Sequence, residues 1–251
     1  MNEYIKELYY DKPIKYKDLL IYPIEMKDYL DFHYFVNCLL IDKNSIPDAK
    51  IISMTYLRFL YHLSSEQNAP YIYMIKSLLC LVLHKDINAD MRFYVDKNDR
   101  AFFSVDGIQY NSDDFSKITS IIFEQNCIKP IDETIQKEIR DALEKAEEYK
   151  MKQNKRKMCS LEEQMICVLI STSLTMEQIY KLTIRKFEKI LQRVDAKLHY
   201  EIYLNASMSG MVKFKNEDAI QHWMDDLSKE RYSDVKVDMD EMRNKIESVN
   251  K

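Results

Sequence analysis

The residues best able to support metal or nucleophilic chemistry are the five histidines and the five cysteines of the chain. Neither an HExxH nor a CxxC pattern occurs among them, so the sequence lacks the ligand spacings that usually define a zinc site. Isolated histidines on apolar helices usually serve packing, and we therefore predict no metal site and no cofactor. The residues considered are His33, His62, His84, His199 and His222, with Cys38, Cys80, Cys127, Cys159 and Cys167.

Nucleophilic catalysis has equally little support in the sequence. There is no GxSxG motif, and Cys159 stands out among the cysteines only because it follows the basic run 155–157. Such a run mildly activates a thiol, but a linker cysteine is the favoured interpretation. With no constellation that provides a base, a nucleophile or a metal, we predict that the protein is not an enzyme.

The segment that begins at Asp96 resembles the start of a calcium-binding EF-hand loop. An EF-hand requires an oxygen ligand at position 5, glycine at position 6 and glutamate at position 12. Here those positions hold Arg100, Ala101 and Gly107. A hairpin turn therefore explains the segment better than a calcium site.

Glycine is scarce, since only Gly107 and Gly210 occur in 251 residues, whereas average usage of roughly 7% would give about 18. Phosphate-binding loops, dinucleotide-binding turns and nucleophile elbows all need glycine at fixed offsets. The scarcity argues against those enzyme scaffolds and favours helices joined by short polar turns. We expect such a chain to act by presenting a shaped surface.

Composition and charge indicate a protein of the cytoplasm. The net charge is −4, and 46% of the residues are hydrophobic, so a sizeable core can form without a basic field that would attract nucleic acid. No apolar run is long enough for a membrane span, and the charged start of the chain does not resemble a signal peptide. The cysteines are expected to be reduced and mostly buried. We predict no membrane association, and nucleic acid is not an expected partner.

Apolar spacing predicts three helices in the first third of the chain, at about 25–41, 45–63 and 71–84. Ser45 is the predicted N-cap of the second helix, and Pro70 opens the third. A β-prone run at 19–22 is predicted to be a strand or an extended arm.

The pattern changes to a β-meander after residue 90. Runs at 91–95, 101–105 and 108–110 are β-prone, and Asp106-Gly107 is a strong signal for a type I′ hairpin turn. A helix capped by residues 112–114 then runs to about Gln125. We therefore predict a mainly α fold of helical bundle-like domains with a small antiparallel β-meander near residues 91–110.

Charge and capping patterns predict the domain organisation. The predicted parts are an N-terminal helical domain with the meander at 1–128, a charged connecting helix at 129–159, a C-terminal helical domain at 160–227 and a charged tail at 228–251. Ser160 with Glu163, and Thr175 with Gln178, have the spacing of capping boxes that begin helices in the third part.

A seam of apolar residues marks the C-terminal helices. Its members recur at alternating steps of four and three, which is the spacing of a helix packed along one line: Tyr180, Ile184, Phe187, Leu191, Val194 and Leu198. The seam packs within one chain or between two, so a homo-oligomer is possible. The residues predicted to contact a partner are Tyr180, Ile184, Phe187, Leu191, Tyr203 and Trp223.

Residues 160–199 also have the helix order of a helix-turn-helix. The last helix carries basic side chains that could contact phosphates, including Arg185, Lys189 and Arg193. Alternating charge is, however, commonly a solvated helix face, and the whole chain is acidic. A DNA-binding regulator therefore stays an alternative hypothesis.

Several short stretches within residues 14–227 carry a resemblance. They are LLIYPI at 19–24, IISMTY at 51–56, SDDF at 112–115, ASMSGMVKFK at 206–215 and the pair at 222–223. Through them the chain resembles a group of proteins encoded among the tail genes of tailed phages and prophages of Gram-positive bacteria.

This resemblance implies a role in tail assembly. Tail assembly chaperones are small, helical and cytosolic, and they keep the long tape measure protein soluble until the tail tube forms around it. We therefore predict a non-enzymatic tail-assembly chaperone in the host cytoplasm whose partners are phage tail proteins, the tape measure protein being the expected client. A structural component of the tail or baseplate is the alternative, and the resemblance provides no catalytic residues.

Overall fold

The computed structural model describes residues 4–43, 46, 48–66, 69–131, 141–143, 145, 146, 149, 159–210 and 222–226. Backbone contacts divide the chain into two compact units. The first comprises Met1–Asp132 with Gln164–Asp195, and the second comprises Glu133–Glu163 with Ala196–Lys251. The fold is mainly α with a minor β component, as predicted. The described residues contain two small antiparallel sheets, of which the three-stranded one is the predicted meander. The predicted domain boundaries stay a prediction.

The first unit begins with helix α1 (Ile5–Tyr9) and a short hairpin of β1 (Ile14–Tyr16) and β2 (Leu19–Ile21). Ile14 pairs with Ile21, and both side chains are fully buried. The β-prone run at 19–22 is therefore a strand, because its apolar side chains alternate toward the core.

The predicted helix at 25–41 is divided into three short pieces. A 3-10 turn (Met26–Asp28) precedes α2 (Tyr29–Val36), and a second 3-10 turn (Asn37–Leu39) follows it. Phe32 and Val36 are buried, whereas Leu30 on the opposite face is exposed. This segment therefore has more apolar side chains than the core buries.

The prediction of one helix over 45–63 was wrong, since α3 (Ala49–Ser53) and α4 (Tyr56–Glu66) are separate. Met54 is extended between them, and its carbonyl accepts a hydrogen bond from the buried Lys43 ammonium at 2.8 Å. This tertiary bond takes the place of a helical one. Asp48 is the N-cap of α3, because its carboxylate accepts from the Lys50 N–H, and the predicted cap Ser45 lies outside the described residues.

Helix α5 (Tyr71–Val82) follows Pro70 as predicted and is the central element of the core. It packs against α2 and α4. Its buried side chains include Ile75, Leu78 and Leu79, each at most 1% exposed.

The predicted meander is confirmed as β3 (Met91–Val95), β4 (Ala101–Val105) and β5 (Ile108–Asn111), paired in that order. Asp106 and Gly107 have φ angles of 51° and 81°, the positive values that a type I′ turn requires. Phe103 faces Tyr110 across the sheet, with ring centroids 5.1 Å apart. This aromatic pair joins the sheet to the core of the first unit.

Helix α6 (Ser112–Gln125) is capped one residue earlier than predicted. Asn111 is the N-cap and forms a capping box with Asp114. The Asp114 carboxylate also accepts from the Tyr16 hydroxyl at 2.7 Å and pairs with Lys17 at 2.6 Å. The hydrogen bond from the Tyr16 hydroxyl to Asp114 is the main reason that the pKa of Tyr16 rises to about 12. The contacts of Asp114 with Tyr16 and Lys17 together join α6 to the first hairpin.

The C-terminal helices are α7 (Leu161–Ser171), α8 (Met176–Tyr180) and α9 (Ile184–Met208). Both predicted capping boxes are present, at Ser160 with Glu163 and at Thr175 with Gln178. Residues 141–143, 145, 146 and 149 are helical, whereas residues 129–131, at the start of the predicted connecting helix, are not. The remaining residues of that segment between 132 and 158 and the charged tail lie outside the described residues.

The seam predicted from Tyr180 onward is interrupted, because the helix that begins at Met176 ends at Tyr180. The next residues bond to the segment before α2: the Met26 N–H donates to Leu182 O at 2.8 Å, and the Ile184 N–H donates to Ile24 O at 2.9 Å. These tertiary backbone bonds replace the helical bonds of one turn and hold the start of α9 within the first unit.

Candidate functional site

The predicted partner-binding residues fall into both units. In the first unit, Ile184 and Phe187 are 3% and 1% exposed and belong to the core. They are buried because the backbone bonds around residue 183 hold the start of α9 against the segment at 24–26. Leu191 is half-buried, and Tyr180 is 42% exposed. Of these four residues, only Tyr180 has a largely accessible side chain.

Helix α7 presents an apolar face that the sequence reasoning did not single out. The run Met165–Ile170 is apolar throughout, yet Val168 is the one residue of α7 that is buried. Ile166, Cys167 and Ile170 share one side of the helix and are exposed, Ile170 to 75%. We call these three residues the α7 face. The sequence indicates this face through a run of apolar residues that contains no polar residue for the solvent-facing side of the helix.

The second unit has a larger group of exposed apolar side chains, all on the last turns of α9. Ile202 is 61% exposed and Met208 is 79% exposed. Leu198 with Ile202, and Leu204 with Met208, are four residues apart and therefore stack along the helix surface. We call this group the α9 end: Leu198, Ile202, Tyr203, Leu204 and Met208.

Aromatic contacts organise the surroundings of the α9 end within the second unit. Tyr203 stacks on His199, with ring centroids 6.1 Å apart, and the ring of His222 meets Tyr200 edge-on at 4.8 Å. Trp223 is half-buried beside His222. The predicted residues Tyr203 and Trp223 thus each take part in an aromatic contact of the second unit.

Two basic side chains in the first turn of α9 have partners within the chain. Arg185 donates to Glu124 O at 3.1 Å, and Lys186 pairs with the Asp11 carboxylate at 3.1 Å. Burial raises the pKa of Glu188 on the same helix. The first two contacts stabilise the first unit, and the Asp11 carboxylate offsets the charge that Lys186 could offer to a phosphate backbone.

The expectation of mostly buried cysteines was wrong, because Cys127, Cys159 and Cys167 are exposed and only Cys38 and Cys80 are buried. Burial raises the pKa of Cys38 to about 12, and partial desolvation raises the pKa of the Cys127 thiol despite the nearby Arg185. Both thiols are therefore protonated at neutral pH. Within the part of the chain that the structure describes, no three histidine, cysteine or acidic side chains are grouped so that they could hold a metal ion.

Within the described ranges, none of the helices combines the length and the apolarity needed to cross a membrane.

Comparison with known protein families identifies a match over part of the chain. A family model described as the second domain of YomV matches residues 150–228, which is less than half of the chain. The matched segment contains both the α7 face and the α9 end. No curated protein and no solved structure matches the chain. The chain is thus similar to a YomV domain over this segment, and the match points to a phage-derived protein.

Proposed function

We propose that this protein is a non-enzymatic phage tail-assembly protein, a chaperone that holds a long helical client such as the tape measure protein. The observation that carries the proposal is the α9 end, where five large apolar side chains are exposed on consecutive turns of one helix. The match to a YomV domain, which includes this helix, supports the phage context.

The chemistry of the two surfaces suits a helical client. Amphipathic helices place apolar side chains at intervals of three, four and seven residues, and they dock on apolar surfaces of similar periodicity. Ile166 and Ile170 on the α7 face, and Leu198 and Ile202 on the α9 end, have a spacing of four. Exposed groups of this kind on a folded protein usually mark interaction sites.

The first test is co-expression of the protein with a helical fragment of the tape measure protein from the same phage genome. Ile202→Lys removes an apolar contact, whereas Asn205→Lys adds the same charge on the same exposed part of α9 and serves as the control. Burying the exposed 61% of Ile202 is worth about 1–2 kcal/mol, a factor of roughly 5–30 in client affinity. We expect the client to stay soluble with the wild type and with Asn205→Lys, and to precipitate with Ile202→Lys.

The same proposal fails if the client is equally soluble with and without the protein. It also fails if Ile202→Lys and Asn205→Lys protect the client equally well. Mass spectrometry of purified particles tests the alternative of a tail or baseplate component, because a chaperone should be absent from finished particles. Sedimentation of the purified wild type and Ile202→Lys shows separately whether the α9 end mediates self-association.

A further inference from the structure

The first unit contains a cleft of about 490 Å³, which is within the size range of small-molecule sites and whose lining includes no residue of the α7 face. It lies between the start of α4, the turn that joins β3 to β4, and the start of α6. Cations and hydrogen-bonding groups dominate its lining, which includes Lys50, Thr55, Arg58, Asn98, Arg100 and Asp113. The cleft is too large for a lone ion.

Internal bonds hold the walls of this cleft in place. The Arg58 side chain is only 18% exposed, and its Nε donates to the Asp99 carboxylate at 2.8 Å. The Thr55 hydroxyl donates to Ser112 Oγ at 3.1 Å, and the Ser112 hydroxyl donates to Ala101 O at 3.0 Å. The groups that face a ligand are therefore positioned before it binds, which lowers the entropic cost of binding.

The donors of the cleft retain bonding capacity. Arg58 and Arg100 are each held by a carboxylate through Nε, which leaves the outer guanidinium nitrogens for a ligand. Across the described part of the chain, the Lys50 ammonium has no ion-pair partner. Three cations that line the same cleft favour an oxyanion, and a doubly charged phosphate gains more from them than a carboxylate does.

The same cleft also presents acceptors. The Asp113 carboxylate is exposed and lines it, and the Thr55 oxygen keeps lone pairs because its hydrogen is given to Ser112. Asp99 and Asp113 would repel a ligand that is anionic throughout. A ligand that combines one phosphate with hydroxyl donors satisfies both kinds of group.

We propose that this cleft binds a small phosphate ester that carries neighbouring hydroxyl groups, of the sugar phosphate or nucleoside monophosphate class. The phosphate contacts Lys50, Arg58 and Arg100, and the sugar hydroxyls donate to Asp113 and Thr55. Such binding is independent of the apolar surfaces of the proposed function.

Calorimetric titration of the full chain with ribose 5-phosphate, adenosine 5′-monophosphate, ribose and inorganic phosphate tests this assignment. We expect one of the two esters to bind with a Kd below about 1 mM, and ribose and inorganic phosphate to bind at least about tenfold more weakly. Tighter binding of the nucleotide shows that the base is recognised, and tighter binding of the sugar phosphate shows that it is not.

Variants distinguish the cleft from general electrostatic attraction. Lys50→Gln alters an exposed side chain and should weaken ester binding about tenfold without affecting folding. Arg92→Gln is the control, because Arg92 is an exposed cation on β3 that does not line the cleft. Equal weakening by both variants, no ester binding up to about 10 mM, or inorganic phosphate binding as tightly as the esters would each overturn the proposal.

Discussion

The replacement Asp114→Asn tests whether the contact between α6 and the first hairpin stabilises the first unit. Asp114 is buried, and its carboxylate accepts from the Tyr16 hydroxyl at 2.7 Å, from the Asn111 N–H at 3.1 Å and from the Lys17 ammonium at 2.6 Å. Asparagine keeps the shape of the side chain but removes its charge and replaces one acceptor with a donor. The variant therefore isolates electrostatics from packing.

The size of the effect follows from these three contacts. The ion pair contributes about 1 kcal/mol at most, because Lys17 is half exposed. In the variant, the Tyr16 hydroxyl donates to a neutral amide oxygen and no longer to a charged carboxylate, which costs about 1 kcal/mol. Losing the capping bond from the Asn111 N–H costs about 1 kcal/mol. We expect the free energy of unfolding to fall by about 3 kcal/mol at pH 7.

The pH dependence gives a second and sharper readout. Burial acts to raise the pKa of Asp114, but the hydrogen bonds from Lys17, Tyr16 and Asn111 outweigh it, and the pKa is lowered overall. A lowered pKa in the folded state stabilises the protein above the unfolded pKa of about 4, and the contribution is lost as the pH falls through the folded value. The difference between wild type and Asp114→Asn should therefore shrink below about pH 4.

Urea unfolding followed by circular dichroism measures both quantities, with Asp113→Asn as the control. Asp113 is the exposed neighbour in the same helical turn, so its variant should lose only about 0.3–1 kcal/mol. The reasoning is wrong if the two variants lose the same stability at pH 7, or if the loss in Asp114→Asn is unchanged at low pH.

Three further predictions concern other features. In urea unfolding, Phe187→Ala should destabilise the protein by about 3–5 kcal/mol, and Ile170→Ala by less than about 0.5 kcal/mol. Similar losses in the two variants would contradict the burial of Phe187 and the exposure of Ile170. Gly107→Ala should cost about 1 kcal/mol in the same assay; a neutral result would show that the turn relaxes, since the space beside Gly107 is open and its φ of 81° is the only obstacle. In the native state a thiol reagent should modify the exposed Cys159 and leave Cys38 unmodified, as identified by peptide mass spectrometry; modification of both at similar rates would refute the burial of Cys38.

Tertiary contacts decided where the predicted helices are interrupted. The run 45–63 has continuous helical spacing, but the bond from Lys43 to Met54 O extends the chain between α3 and α4. The seam after Tyr180 is broken for the same kind of reason, since the segment at 24–26 takes up the backbone bonds of residues 182–184. These hydrogen-bond partners lie outside the short stretch of sequence from which helical spacing is judged, so the sequence pattern does not reveal them.

The candidate site shows a similar division. Apolar spacing identified Tyr180, Ile184, Phe187 and Leu191 as one set, yet Ile184 and Phe187 are buried in the core and Tyr180 is exposed. The sequence reasoning missed the α7 face, because an apolar run is normally interpreted as part of the core. Only the structure shows that its side chains are largely uncovered.

The sequence by itself determined the mainly helical class, the meander with its Asp106-Gly107 turn, and the caps at Ser160 and Thr175. These features depend on periodicity, backbone freedom and first-turn hydrogen bonding, and each of these involves residues that are close together in the sequence. Only the tertiary structure decided which apolar side chains are covered. Burial depends on what distant segments pack against a helix, so Phe187 and Ile202 on one helix differ in exposure although both are apolar.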